Sequence, residues 1–233
     1  MRYFSLDTNF VLALINKNDR LHKTAVRIIQ KEEKDCALCF SVIREARKVA
    51  REKVNQAVVN SLEIIVDIRD ITDKDKRKKE LKRRFQRLMQ TDAPLKNFYL
   101  FLQERIVSYI ARIGVQTLPT YLSNLSENVA RTLEPELNKI IPYTTMRIHY
   151  SNSAVVEKIS DIKSSSSTVH FKDTIDYQIF CEIVINLSSM FMIDFYTDDT
   201  EFAKKGKDAY RLLEKKLRYN PCWLHFVHYK IDT

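Results

Sequence analysis

The sequence predicts an α/β fold: a parallel sheet flanked by helices, with an inserted all-helical segment. Three observations predict it. Near both ends of the chain, short apolar runs alternate with stretches of helical period. The long middle stretch, 55–142, carries helical periodicity and no convincing strand. Acidic residues recur at the ends of the strand-like runs or at the starts of the helices that follow: Asp7, Glu45, Asp176 and Asp199.

Taken in order, Tyr3 to Leu6 is a first strand that stops at Asp7, and Thr8 or Asn9 starts a helix running to Ile15. Asn16 to Asp19 reads as a connection, with Asp19 capping a helix from Leu21 to Glu33. Cys36 to Phe40 is short and apolar, as a second buried strand is. Ser41 then caps a helix that carries Glu45 on the same face, one turn on. In the middle stretch, Leu62, Ile65, Ile68 and Ile71 form one apolar series. Lys74 to Arg87 is strongly basic, with Leu81, Phe85 and Leu88 as its apolar markers. Asp92-Ala93-Pro94 breaks that helix, and Pro94 suits the start of the next. A long apolar helix follows through Phe98 and Ile110, and another from Tyr121 to Ile141, kinked or restarted at Pro135.

Arg147 to Asp161 fits strand or helix, and Ser164 to Ser167 reads as a mobile polar loop. The α/β pattern then resumes. Asp173 and Asp176 open a helix, Met190 to Tyr196 is a central strand closed by Thr197-Asp198-Asp199, Thr200 starts a helix, and Trp223 to Ile231 is a final strand. The expected organisation is an α/β domain from 1–54 and 171–233, a helical insertion at 55–142 and a connecting segment at 143–170.

Composition narrows the chemistry. Hydrophobic residues make up 45%, enough for a core, and the formal net charge of +9 favours a polyanionic partner. Only Gly114 and Gly206 are glycine, and neither sits in a Gly-rich strand-to-helix turn, so a P-loop and a dinucleotide fingerprint are both excluded. No secretion signal and no apolar run of the roughly 20 residues that span a bilayer is evident, which predicts a cytoplasmic protein with reduced thiols. Cys36 and Cys39 have a zinc-like spacing, but a strand points them to opposite faces, so they read as buried thiols.

The carboxylates carry the argument further. In a parallel α/β sheet, strand ends and helix starts open on one crevice. Four carboxylates brought together there raise one another's pKa unless a cation neutralises them. Hard oxygen donors specify Mg²⁺ or Mn²⁺ rather than zinc. Of the histidines, His170 alone lies near the pattern. A phosphatase with an aspartate nucleophile fits poorly, because Asp7-Thr8-Asn9 lacks a second aspartate two residues on.

Four segments resemble the PIN-domain ribonuclease family, which includes the toxin nucleases of toxin–antitoxin pairs. They are Leu6-Asp7-Thr8-Asn9, Phe40 to Glu45, Asp173 to Ile179, and Tyr196 to Phe202 with Thr197 and Asp199 in Thr-x-Asp positions. The resemblance covers about Arg2–Glu52 and Phe171–Thr233 and implies a PIN-like sheet. It implies metal-dependent hydrolysis of single-stranded RNA, with Asp7, Glu45, Asp176 and Asp199 as catalytic, metal-holding residues. Asn9, Ser41, Asp173, Thr197 and Glu201 would support them, Asp173 being the competitor of Asp176 for the third ligand position. Phe180, Cys181 and Glu182 stand where the family usually has small residues, and the long insertion is a further departure. The basic helix offers Lys78, Lys79, Lys82, Arg83, Arg84 and Arg87 to RNA phosphates, or is simply a solvated face. Expected partners are RNA and a second copy or an inhibitory protein, not a membrane. The rival reading is a catalytically idle PIN-like scaffold that binds RNA or protein through the insertion.

Overall fold

A computed structural model describes residues 1–92, 95–187 and 191–229. Pro94 as a helix start, and Met190 and Ile231 as strand residues, lie outside the described residues. In chain order the elements are β1 (Arg2–Leu6), α1 (Thr8–Ile15), α2 (His22–Lys31), β2 (Asp35–Cys39), α3 (Phe40–Asn60), α4 (Leu62–Arg69), α5 (Lys74–Thr91) and α6 (Lys96–Arg112). They continue with α7 (Leu118–Ser123), α8 (Leu125–Ile140), β3 (Tyr143–Met146), α9 (Ser153–Ser165), α10 (Thr174–Asn186), β4 (Met192–Thr197), α11 (Thr200–Leu217) and β5 (Leu224–His228).

The chain forms two compact units. The first comprises Met1–Ile15, Leu21–Ala46 and Pro135–Thr233; the second comprises Asn16–Arg20 and Arg47–Glu134. In the first unit five parallel strands lie in the order β3-β2-β1-β4-β5. The chain builds outward from β1 to β3, then returns to the other side of β1 for β4 and β5. The switch point of the sheet therefore lies between β1 and β4, where Phe4 faces Asp194 and Leu6 faces Tyr196. Helices cover both faces. Phe202 of α11 packs on Phe195 and Phe226, while Glu32, at the end of α2, bonds Tyr196 on the opposite face. Gly206 lets α11 approach the sheet, since a β-carbon there would meet the Phe226 ring at 2.4 Å.

The second unit has helices and no strand among its described residues. Its core holds Ile65, Ile68, Leu81, Phe85, Tyr99, Leu102 and Ile106, which are apolar markers at helical spacing. Tyr99 buries its ring and satisfies its hydroxyl, which accepts from Asn60 at 2.9 Å and donates to Asp92 at 2.8 Å. No helix among the described residues is long and apolar enough to cross a membrane.

Several local expectations need correction. The stretch 143–170 is more than a connection: Tyr143–Met146 is an edge strand paired with β2, and Ser153–Ser165 is a helix. The serine run is not a loose loop. Ser165 ends α9, Ser165 and Ser166 are buried, and the Ser166 hydroxyl bonds the Ile162 carbonyl at 2.6 Å. Short hydroxyl side chains satisfy the end of the helix from within, and this made the run look like solvent-facing polarity. Leu62 is exposed, and Ile64 takes its place in the core. Asp19 does not cap α2; Leu21 occupies that position and makes no side-chain cap bond. Ser41 lies inside the first turn of α3, which starts at Phe40. Cys36, Cys39 and Cys181 are buried, and burial pushes the Cys36 thiol up to about 12.

Candidate active site

Asp7 follows directly on β1, and its backbone amide bonds the Tyr196 carbonyl of β4 at 2.9 Å. One carboxylate oxygen accepts from the Thr8 amide at 2.6 Å, the other from the Thr197 hydroxyl at 2.5 Å. The Thr8 hydroxyl donates in turn to Glu45 of α3 at 2.5 Å. Thr8 thus bridges the first and second acidic positions, a role the sequence reading did not assign to it. The available signal was a hydroxyl immediately after a strand-ending aspartate.

Asp199 is the N-cap of α11, with one oxygen accepting from the Phe202 amide at 2.9 Å, and its own amide donates to Thr197 at 3.0 Å. Asp173 is the N-cap of α10 and accepts from the amides of Ile175 and Asp176. Asp176, one turn in, is the group coupled to the other acids. Burial pushes its carboxyl up to about 6, and Asp173, Asp199 and Glu45 add to the rise. Burial likewise pushes Asp7 to about 7 against the opposing bonds from Thr197 and Thr8, with Asp198 and Glu45 contributing. Glu45 is felt by both groups, so Asp7, Glu45, Asp176 and Asp199 share one electrostatic neighbourhood at the C-terminal edge of the sheet.

The supporting residues divide. The Thr197 hydroxyl donates to Asp7 and accepts from the Asp199 amide. Asn9 bonds Asp198 at 2.9 Å rather than a member of the proposed quartet. Glu201 pairs with Lys205 at 2.5 Å on the surface of α11. Ser41 is directed elsewhere: its amide and its hydroxyl each donate to Glu182 of α10 at 2.9 Å. Glu182 is buried, and burial raises its carboxyl despite these bonds. Arg44 bonds Gln178 of α10 at 2.7 Å, so contacts from Ser41 and Arg44 tie the first two turns of α3, where Glu45 lies, to the helix that carries Asp176. A glutamate at a position expected to be small is thus a clamp between two helices. His170 is exposed.

The donor set is all hard oxygen, which fits Mg²⁺ or Mn²⁺. The rotamers are less suited. Among the described residues no three His, Cys, Asp or Glu side chains converge in an ion-holding geometry. Both oxygens of Asp7, one of Glu45 and one of Asp199 accept from Thr8, Thr197 and the Phe202 amide. Glu45 and Asp199 each commit one carboxylate oxygen to these bonds, which leaves the second oxygen of each for an ion.

The basic helix is also divided. Arg83 and Arg84 both pair with Glu80, and Arg84 reaches Asp67 as well. Lys78, Lys79, Lys82 and Arg87 are exposed on α5 and make no ion pair among the described residues. No protein-family model, curated protein or solved structure matches the chain.

Proposed function

We propose that the chain is a metal-dependent endoribonuclease of the PIN type, cleaving phosphodiester bonds of single-stranded RNA, with its second unit as an insertion. The observation that carries the reading is the acidic neighbourhood at the switch point: Asp7 and Asp176 held mainly by burial at about 7 and about 6, with Glu45 coupled to both. Carboxylates shifted together by burial and by one another in a crevice are the mark of a candidate ligand site. Asp7, Glu45, Asp176 and Asp199 would hold Mg²⁺ or Mn²⁺. A bound ion of this kind supplies an activated water and charge for the phosphodiester oxygens. Thr8 and Thr197 orient Asp7, and Thr8 also orients Glu45. Exposed Lys79, Lys82 and Arg87 attract RNA phosphates without reading sequence.

The test uses Mn²⁺ calorimetry with cleavage of a labelled single-stranded RNA. Wild type is expected to bind Mn²⁺ and to cut in an EDTA-sensitive way. Asp7→Asn and Asp199→Asn are each expected to lose about a hundredfold or more in rate. Wild-type rates in both variants would refute the assignment. The hydrogen-bonded rotamers favour one alternative, an idle PIN-like scaffold that binds RNA or protein. RNA binding with no Mn²⁺ uptake would select it.

A further inference from the structure

A groove of about 570 Å³ lies wholly within the second unit, between the start of α5 and the end of α6. Leu81, Val107 and Ile110 supply apolar wall, all of it aliphatic. Lys74, Lys78 and Arg112 supply cations at its margin. These three are exposed and make no ion pair among the described residues. This separates them from Arg83 and Arg84, which Glu80 neutralises, and from Arg77, which is spent on the carbonyls of Ile68 and Ile71. Asp75 is the acidic residue in the lining and leaves the margin net positive.

The end of the groove is built by a turn. α6 stops at Arg112, and Gly114 takes φ +109°, a conformation that favours glycine. The turn leaves Ile113, also in the lining, 63% exposed. A large aliphatic side chain at the lip of a partly apolar groove, ringed by uncompensated cations, resembles half of a protein interface. The lining argues against nucleic-acid bases: among the described residues it holds no aromatic ring on which a base could stack. Aliphatic wall and cationic rim are complementary to an amphipathic segment with aliphatic anchors and carboxylate flanks.

We propose that the α5–α6 groove docks an acidic amphipathic peptide segment of a partner protein, with aliphatic anchors against Val107, Ile110 and Ile113 and carboxylates on Lys74, Lys78 and Arg112. The site is independent of the nuclease reading and stands whether or not the carboxylate cluster binds metal.

The test uses the full-length protein and fluorescence anisotropy. The probe is a fluorescein-labelled amphipathic peptide of Leu, Ala and Glu with leucines at helical spacing, and labelled oligouridylate runs alongside. The peptide is expected to bind, and the Lys78→Glu/Arg112→Glu pair to weaken it at least tenfold. Lys96→Glu, at the far end of α6, should leave it unchanged. Far-UV circular dichroism and melting establish that the charge-reversed protein is folded; Lys78→Gln/Arg112→Gln, with a smaller loss expected, replaces it otherwise. No peptide binding, or binding indifferent to Lys78 and Arg112, overturns the proposal. So does oligouridylate binding that depends on those two residues while peptide binding does not, which would make the groove an RNA site.

Discussion

Asp194 and Asp7 lie on or next to neighbouring strands of one sheet, in opposite surroundings. Asp194, within β4 and 4% exposed, accepts from Arg2 at 2.8 Å and from Lys34 at 2.6 Å. Asp7, at the end of β1, accepts from neutral donors and faces further carboxylates. Burial pushes both carboxyls up. At Asp194 the bonds from Arg2 and Lys34 overcome it and hold the group below its ordinary value; at Asp7 burial prevails. A compensated charge is part of the architecture. A charge left among like charges lowers stability unless a ligand neutralises it.

Substitution should separate the two most widely. Asp194→Ala leaves Arg2 and Lys34 without their shared carboxylate and should cost about 2–3 kcal/mol in urea denaturation, below the usual figure for a buried pair because both cations keep some water access. Asp7→Asn should have the opposite sign, stabilising the metal-free protein by about 1–2 kcal/mol at pH 8 while abolishing Mn²⁺ binding. If Asp7→Asn destabilises as Asp194→Ala does, the contrast between them collapses.

The same contrast predicts a pH dependence. Asp7 and Asp176 titrate in the folded state at about 7 and about 6, above the ordinary 3.8. The stability they contribute is whole below about pH 4 and is lost as pH rises through 6 and 7. Asp194 has a depressed folded pKa, so its contribution is present above about pH 4 and is lost on further acidification. Without metal, the melting temperature of wild type should fall from pH 5 to pH 7.5 by more than that of Asp7→Asn. Mn²⁺ should raise it more at pH 7.5 than at pH 5. Equal pH slopes in the two proteins would remove Asp7 from the account.

A packing control comes next in size. Gly206→Ala drives a methyl into the Phe226 ring and should destabilise by about 1–2 kcal/mol, overpacking outweighing the better helix propensity. Mn²⁺ affinity should be unchanged, since Gly206 is remote in role from the acids. The smallest effect belongs to the basic helix. Lys82→Ala should weaken RNA binding modestly and lower the salt slope by about one, whereas Arg84→Ala should move it less because Glu80 and Asp67 already hold that side chain. Equal slopes would mean that ion pairing within α5 does not decide which cations meet RNA.

Much of the fold was legible locally. Asp7 after an apolar run, Asp173 before a helix and the markers Leu81 and Phe85 each report structure within a few residues, and each is where the pattern put it. β3 was not legible, because Tyr-Thr-Thr-Met is short and half-polar and becomes a strand only through its pairing with β2. The candidate carboxylates were legible as residue types at strand ends and helix starts. Their partners were not legible: Ser41 and Glu45 share a helix face, yet Ser41 bonds Glu182 and Glu45 bonds Thr8.

The sequence by itself determined where carboxylates follow strands, that the middle of the chain is helical and that its charge is basic. Periodicity, capping and composition act over a few residues, and no distant contact is needed to express them. Only the tertiary structure decided which carboxylates share a field. Asp7 and Thr197 are 190 positions apart and Thr8 and Glu45 are 37 apart, and the order β3-β2-β1-β4-β5 alone brings them within hydrogen-bond reach. It also decided which cations are spent on neighbours and which remain for a ligand, because ion pairing depends on the packing of helices and not on the run of charges along one of them.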